Sequence, residues 1–368
     1  MVQTGGIGKE KGAHSDKLAA AWGRFKRRDR GETEPPFQPE GIVDSDGSGF
    51  MLGNQALSPQ RKSCSWLLRS WPVVGGLRMS DVCSNTLAPV QSFRDVLAGR
   101  SANRRNPGVL WPDFDQQTHA RLWRRNRRIC EAPAIDEPRA IIDGPAIFVS
   151  MQDGHFGHIV AETVPRLPQS LIEGRGLPLY FSAGARMRVA DTSRVFRSVL
   201  NWLGVAEDRV RLIHQPTLFR DLHVAPQAEH LDGPPPPDGY LALLETITAH
   251  RLTRLDPRGV TFVSRAGLPE HYGHHAAEGY LAACLTELGV RVVYPESLPL
   301  PDQMRIYAES RALVFSEGSA LHGRQLLGRI DQRVSVLRRR HHSTVGRNAL
   351  LPRCASVDYV PCLSGVLR

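Results

Sequence analysis

Apolar positions along the chain fall into two regimes. In residues 1–70 they are sparse and irregular among Gly, Ser, Asp, Lys and Arg, and Glu34-Pro35-Pro36-Phe37-Gln38-Pro39 cannot hold a helix, so a poorly ordered basic tail is expected there. From Ala140 onward, short apolar runs alternate with helically spaced ones. Ile147-Phe148-Val149, Leu179-Tyr180-Phe181 and Arg209 to Ile213 predict strands. Ile159 to Leu171, interrupted by Pro165 and Pro168, predicts a helix, as does the Val195, Val199, Leu200, Leu203 spacing that stops at Gly204.

Four prolines, Pro234 to Pro237, stay extended and mark a stiff connector over 234–239. Beyond it the alternation is cleaner. Helices are predicted over Tyr240 to Leu252, Ala276 to Leu288, Pro301 to Arg311 and, shorter, from Gly318-Ser319 through Leu327. Strands are predicted over Val260 to Ser264, Val290 to Tyr294, Leu313 to Phe315 and Val334 to Leu337. Strand–helix alternation with short links predicts an α/β fold with parallel, doubly wound sheets. The expected organisation is a first α/β domain over 71–233 and a second, Rossmann-like domain over 240–345. A segment over 346–368 returns toward the first domain.

The 368 residues carry a formal net charge of +10, which calls for an anionic partner. Only five of the 47 basic residues are Lys, all within the first sixty-two residues. Arg suits bidentate phosphate contacts, although a GC-rich genome gives the same bias. Arg121, Arg124, Arg125, Arg127 and Arg128 crowd around Trp123, a pattern that serves either a nucleic-acid surface or a solvated helix face. No motif supports the nucleic-acid option. No run approaches a membrane span and the N-terminus shows no signal-peptide core, so the expected location is cytoplasmic. The six cysteines, Cys64, Cys83, Cys130, Cys284, Cys354 and Cys362, form no C-x-x-C pair and read as reduced thiols.

Ligands bind at the carboxyl ends of strands in such sheets. Three segments fall there: Ser264-Arg265, Tyr294-Pro295-Glu296 and Ser316-Glu317-Gly318-Ser319-Ala320. In the last, a strand, a small-residue turn and a helix start offer free N–H groups to a phosphate. Without G-x-G-x-x-G or a P-loop, neither a nicotinamide cofactor nor an ATPase is indicated. In the first half, His158 and Glu162 are four apart and share a helix face near His155. Three readings stay open: a general-base pair, a zinc pair of His155 and His158, or a structural contact. His271, His274 and His275 form a further group on a polar loop, with Glu270 and Tyr272 beside it.

In order, these pieces resemble glycosyltransferase family 61, over about residues 140–337. The matching stretches are Gly157-His158-Ile159-Val160-Ala161-Glu162-Thr163-Val164-Pro165-Arg166-Leu167 and Thr261-Phe262-Val263-Ser264-Arg265. Tyr294-Pro295-Glu296, Asp302-Gln303 and Glu317-Gly318-Ser319-Ala320-Leu321-His322-Gly323 follow. The resemblance implies a GT-B-like architecture, two Rossmann-like domains facing across a cleft. It implies inverting transfer from a nucleotide-sugar co-substrate to a glycan or lipid-linked acceptor, with no cofactor and no bound metal, in bacterial surface polysaccharide synthesis. His158 and Glu162 would be catalytic, with His155 and Arg166 on the acceptor side. Arg265, Glu296, Gln303, Glu317, Gly318, Ser319 and Ala320 would bind the donor. Peripheral contact with the inner face of an anionic membrane is a further expectation. The chain departs from the family pattern at Glu317, where a His is usual, and at Gly323, where an Asn is usual. A carboxylate at 317 would repel a diphosphate unless Arg265 or Arg324 compensated or it pointed elsewhere. A transferase-like scaffold without activity is therefore an alternative, as is a basic nucleic-acid-binding protein.

Overall fold

The computed structural model describes residues 87–100, 109–110 and 137–362, apart from 175, 185–186, 230–232, 254 and 274. The tail over 1–70, the Arg121 to Arg128 segment, Cys64, Cys83, Cys130 and His274 lie outside the described residues. Two sheets carry the fold, which is of the α/β class. The first has strands β1 (Gln91–Phe93), β2 (Val96–Arg100), β3 (Val109–Leu110), β4 (Ala140–Met151), β5 (Leu179–Ser182), β6 (Val210–Ile213) and β7 (Pro216–Val224). Its order is β3-β2-β7-β4-β5-β6, with β1 also on β7. Strands β7, β4, β5 and β6 are parallel, and β1, β2 and β3 add an antiparallel edge.

The second sheet has β8 (Val260–Val263), β9 (Arg291–Val293), β10 (Ala312–Ser316), β11 (Arg333–Arg338) and β12 (Ser356–Pro361). It is entirely parallel, in the order β12-β11-β10-β8-β9. The chain starts in the interior at β8, goes to one edge at β9, then returns across β8 to build β10, β11 and β12. The winding therefore reverses between β8 and β10, and an open crevice is left at their carboxyl ends. Parallel strands need both faces covered, and Phe262, Val263, Leu313, Phe315, Val334 and Val336 are buried accordingly.

One hydrophobic cluster runs through both sheets. It joins Ile147, Val149, Leu179 and Phe181 to Val263, Leu313 and Phe315 by way of Tyr240, Leu241, Leu244 and Tyr307. The Trp202 indole, at the end of helix Arg194–Trp202, donates to the Leu326 carbonyl (3.3 Å), tying the first half to the second. After residue 345, β12 extends the second sheet, while Asn348 donates to the Gly233 carbonyl (2.8 Å). Among the described residues, Cys284, Cys354 and Cys362 are free thiols. No described helix is long and apolar enough to cross a membrane.

Candidate active site

Strand β4 ends at Met151, and the chain turns at Asp153. The Asp153 carboxylate accepts from the His155 N–H (2.7 Å), a local bond that shapes the turn. Winding resumes as Phe156–His158, passes through a π turn over Ile159–Thr163 and a 3₁₀ turn over Val164–Arg166, and regains α form in Leu167–Glu173. Pro165 and Pro168 carry no N–H, which accounts for the irregular hydrogen bonding. The one-face placement of His158 and Glu162 survives: Nδ1 of His158 lies 2.6 Å from Oε1 of Glu162. The His158 side chain is about one-third exposed and Glu162 less so. The His155 ring stands 5.1 Å from that of His158.

Gly157 packs against residues of the second half. A Cβ there would come within 3.0 Å of the His322 ring and 3.3 Å of Ser319. The histidine turn thus adjoins the bend after β10. Beside it lies a cavity of about 470 Å³, lined by Phe156 and by Arg194, Val195 and Ser198 from the first half. The second half contributes Ser264, Arg265, Glu296, Gln303, Ser319 and Ala320, and the wall Pro295 to Pro301. The cavity occupies the crevice where the winding reverses.

Arg265 is held before any ligand arrives. Its Nη2 donates to the carbonyls of Tyr272 (3.0 Å) and Gly273 (3.1 Å), its Nε donates to Gly273, and its backbone N–H donates to Glu278 (2.6 Å). Burial lowers its pKa from the usual guanidinium range, and Arg339 nearby adds to the effect. Such an arginine gains by facing an anion. Glu278, buried at the start of helix Glu278–Glu287, also accepts from Ser264 (2.9 Å), Ser316 (3.0 Å) and the His275 N–H (3.1 Å). Burial pushes its pKa up, but those hydrogen bonds outweigh it and hold the carboxyl below its ordinary value. One carboxylate thereby fixes the ends of β8 and β10 together.

Glu317 does not face the cavity. Its carboxylate accepts from the backbone N–H groups of Arg339 (2.7 Å) and Arg340 (3.0 Å) and pairs with the Arg340 guanidinium (2.6 Å). Burial raises its pKa, and these bonds overcome that and keep it ionised. The expected repulsion is thus removed by orientation and by Arg340. Arg324 has no part in this, since it is buried and donates to Gly328 (2.9 Å) and the Arg353 carbonyl (2.8 Å). Arg166, expected on the acceptor side, is also buried and donates to the Ala225 carbonyl. Gln303 reaches the cavity but spends its amide on the carbonyls of Pro295 (2.7 Å) and Leu298 (2.9 Å), which shapes the wall. The carboxylate of Glu296 lies over Gly267, where a Cβ would fall 2.0 Å from Oε1. No group of three or more metal-ligating side chains occurs among the described residues.

The sequence reading missed Arg194, Glu278 and Arg340. Two of these carried a signal. Arg194 opens a helix, where a positive charge opposes the dipole, and Glu278 is an acidic residue in a first helical turn.

The family model described as Glycosyltransferase 61 matches residues 156–324, from the histidine turn through the bend after β10. Among curated proteins, none matches the chain.

Proposed function

We propose, from a chain whose residues 156–324 match the family model described as Glycosyltransferase 61, that this protein transfers a sugar from a nucleotide-sugar donor to an acceptor hydroxyl with inversion at the anomeric carbon. One observation carries the reading. Arg265, preset for an anion, lines one cavity from the second half of the fold, and Phe156, which opens the turn bearing the His158–Glu162 imidazole–carboxylate pair, lines it from the first.

In this reading the two sheets act as the two lobes of a GT-B arrangement. The donor diphosphate lies at the carboxyl ends of β8 and β10, against Arg265, Gly318 and Ser319. The acceptor oxygen attacks the anomeric carbon as the bond to the diphosphate breaks, and the leaving group takes the bonding pair. Its growing charge meets Arg265 and the amides of the Gly318 bend, already in place in a partly buried crevice. The hydroxyl proton passes to His158, and Glu162 on the far ring nitrogen stabilises the imidazolium. The acceptor is a glycan or lipid-linked saccharide of a bacterial surface polysaccharide. The excess of basic residues supports approach to an anionic membrane.

The test is a thermal-shift screen of the full chain against nucleoside diphosphates and their sugars, with transfer to methyl glycosides measured for each hit. Binding only the folded state raises the melting temperature. A raised melting temperature that Arg265→Ala abolishes, together with transfer, is the expected outcome. Full donor affinity and turnover in Arg265→Ala would overturn it.

A further inference from the structure

Two arginines line the cavity, one from each half: Arg265 at the end of β8, and Arg194 at the start of helix Arg194–Trp202. Their surroundings differ. Backbone carbonyls of the second half hold Arg265. Arg194 is exposed, and among the described residues no oxygen accepts a hydrogen bond from its guanidinium and no carboxylate pairs with it. The arginines beside it are engaged. Arg188 pairs with Asp191 (2.9 Å), and Arg197 donates to the carbonyls of Ala190 (2.7 Å) and Thr192 (2.6 Å). A positive charge in the first helical turn opposes the helix dipole, and that turn holds no acidic side chain. No described contact offsets that cost, whereas an anion in the cavity would.

Around Arg265 the charges of the second half are already balanced. Arg339 and Arg340 stand near it as further cations, and Glu278 and Glu296 as anions. Glu317 pairs with Arg340 (2.6 Å). Arg265, Arg339 and Arg340 are therefore matched by Glu278, Glu296 and Glu317. A diphosphate adds a negative charge on each phosphate, and Glu296 lines the same cavity. Among the lining residues, the cation left to meet that excess is Arg194, on the wall from the first half. A cavity of about 470 Å³ is the size that one small ligand fills, so a guest bound at Arg265 also meets the wall that bears Arg194.

We propose that Arg194 is a second diphosphate-binding arginine, so that the donor is gripped from both halves of the fold, by Arg265 on one phosphate and by Arg194 on the other. The inference rests on the glycosyl-transfer reading and deepens it. A guanidinium is always charged and forks onto phosphate oxygens, which suits it to this contact. When the bond to the anomeric carbon breaks, the leaving diphosphate takes the bonding pair, and Arg194 meets the added charge from the side opposite Arg265.

The experiment titrates inorganic pyrophosphate into the full chain by calorimetry, for the wild type and for Arg194→Gln, Arg194→Lys and Arg291→Gln. Arg194→Gln should raise Kd about tenfold or more, the loss of one charge-assisted bond. Arg194→Lys keeps the charge without the fork and should lose less. Arg291 is an exposed arginine at the end of β9 away from the proline wall, and Arg291→Gln should bind as the wild type does. Because Arg194 is exposed and makes no bond to a described residue, Arg194→Gln should melt at the wild-type temperature, which separates lost binding from lost fold. With a nucleotide sugar that supports transfer, Arg194→Gln should lower the donor kcat/KM about tenfold or more and leave the acceptor KM unchanged. Pyrophosphate that fails to bind the wild type, binds Arg194→Gln equally well, or is weakened as much by Arg291→Gln overturns the proposal. So does a raised acceptor KM at unchanged donor kcat/KM, which would place Arg194 on the acceptor. Arg194-dependent pyrophosphate binding without transfer from any nucleotide sugar counts against the transferase reading and leaves the two-arginine site standing.

Discussion

The guanidinium of Arg265 lies directly over Gly318: a Cβ at 318 would fall 1.9 Å from Nη1 and 2.7 Å from Cζ. The arginine cannot swing away freely, because the carbonyls of Tyr272 and Gly273 hold it. Gly318→Ala should therefore displace the guanidinium while leaving the fold intact. Loss of one charge-assisted bond, about 1.5–3 kcal/mol, corresponds to a roughly 10–100-fold weaker grip on a diphosphate. Titration calorimetry with nucleoside diphosphates would measure it. Unchanged affinity would show that Arg265 does not touch the phosphates.

Glu162→Gln removes the charge that stabilises an imidazolium at His158 while keeping the side chain's shape. Turnover should fall by about 10²–10⁴-fold, the usual contribution of general-base catalysis, with donor affinity unchanged. Steady-state kinetics beside donor binding would separate the two. A variant with normal kcat would leave the pair a structural contact.

Acid should unfold the protein in two stages. His322 is buried, with a folded pKa near 4 against an ordinary 6.5. The unfolded chain binds that proton first, so stability is full above about pH 6.5 and falls as pH drops toward 4, by on the order of 3 kcal/mol. Glu278 and Glu317, both held below 4.5, keep their contribution above that value and lose it as pH falls further. Urea midpoints from pH 7.5 to 3.5 would trace both. In His322→Phe the stage above pH 4.5 should vanish, and its persistence would assign it to another group.

Arg353 and Glu229 form a fully buried ion pair, with Nη1–Oε2 at 2.9 Å and Nη2–Oε1 at 3.1 Å, so Arg353→Met strands the Glu229 carboxylate in the interior. Breaking a buried pair from one side costs about 3–5 kcal/mol, whereas replacing both members by apolar groups recovers much of that. Denaturant curves should show Arg353→Met far less stable than the Arg353→Met, Glu229→Met double variant. Equal losses would mean that the pair is not coupled.

The second sheet was readable because its strands are short apolar runs separated by helices that Gly or Pro delimit, so each boundary at Gly289 or Pro301 fell close to its place. Strand β7 of the first sheet and edge strand β12 of the second were less legible. Strand β7 begins on Pro216 and carries Arg220 and Asp221 mid-strand, and half of β12 is exposed, so neither gives a buried period-2 signal. At the site, the Ser264-Arg265 end and the His158–Glu162 spacing were visible because local geometry sets them. The orientation of Glu317 was not, because it depends on amides and an arginine more than twenty positions away, beyond β11. The buried pairing of Arg353 with Glu229 was equally hidden, since the two residues lie more than a hundred positions apart and only the tertiary fold brings them together.

The wall from Pro295 to Pro301 has a chemical bias. Pro295, Pro299 and Pro301 have no N–H to offer, and the amides of Ser297 and Leu298 are committed to the carbonyls of Tyr294 and Pro295. This side of the chamber is poor in backbone donors. A guest must therefore turn its electron-rich edges toward Arg265 and Ser319 and lay its plainer flank along the proline wall, which sets its orientation in the chamber.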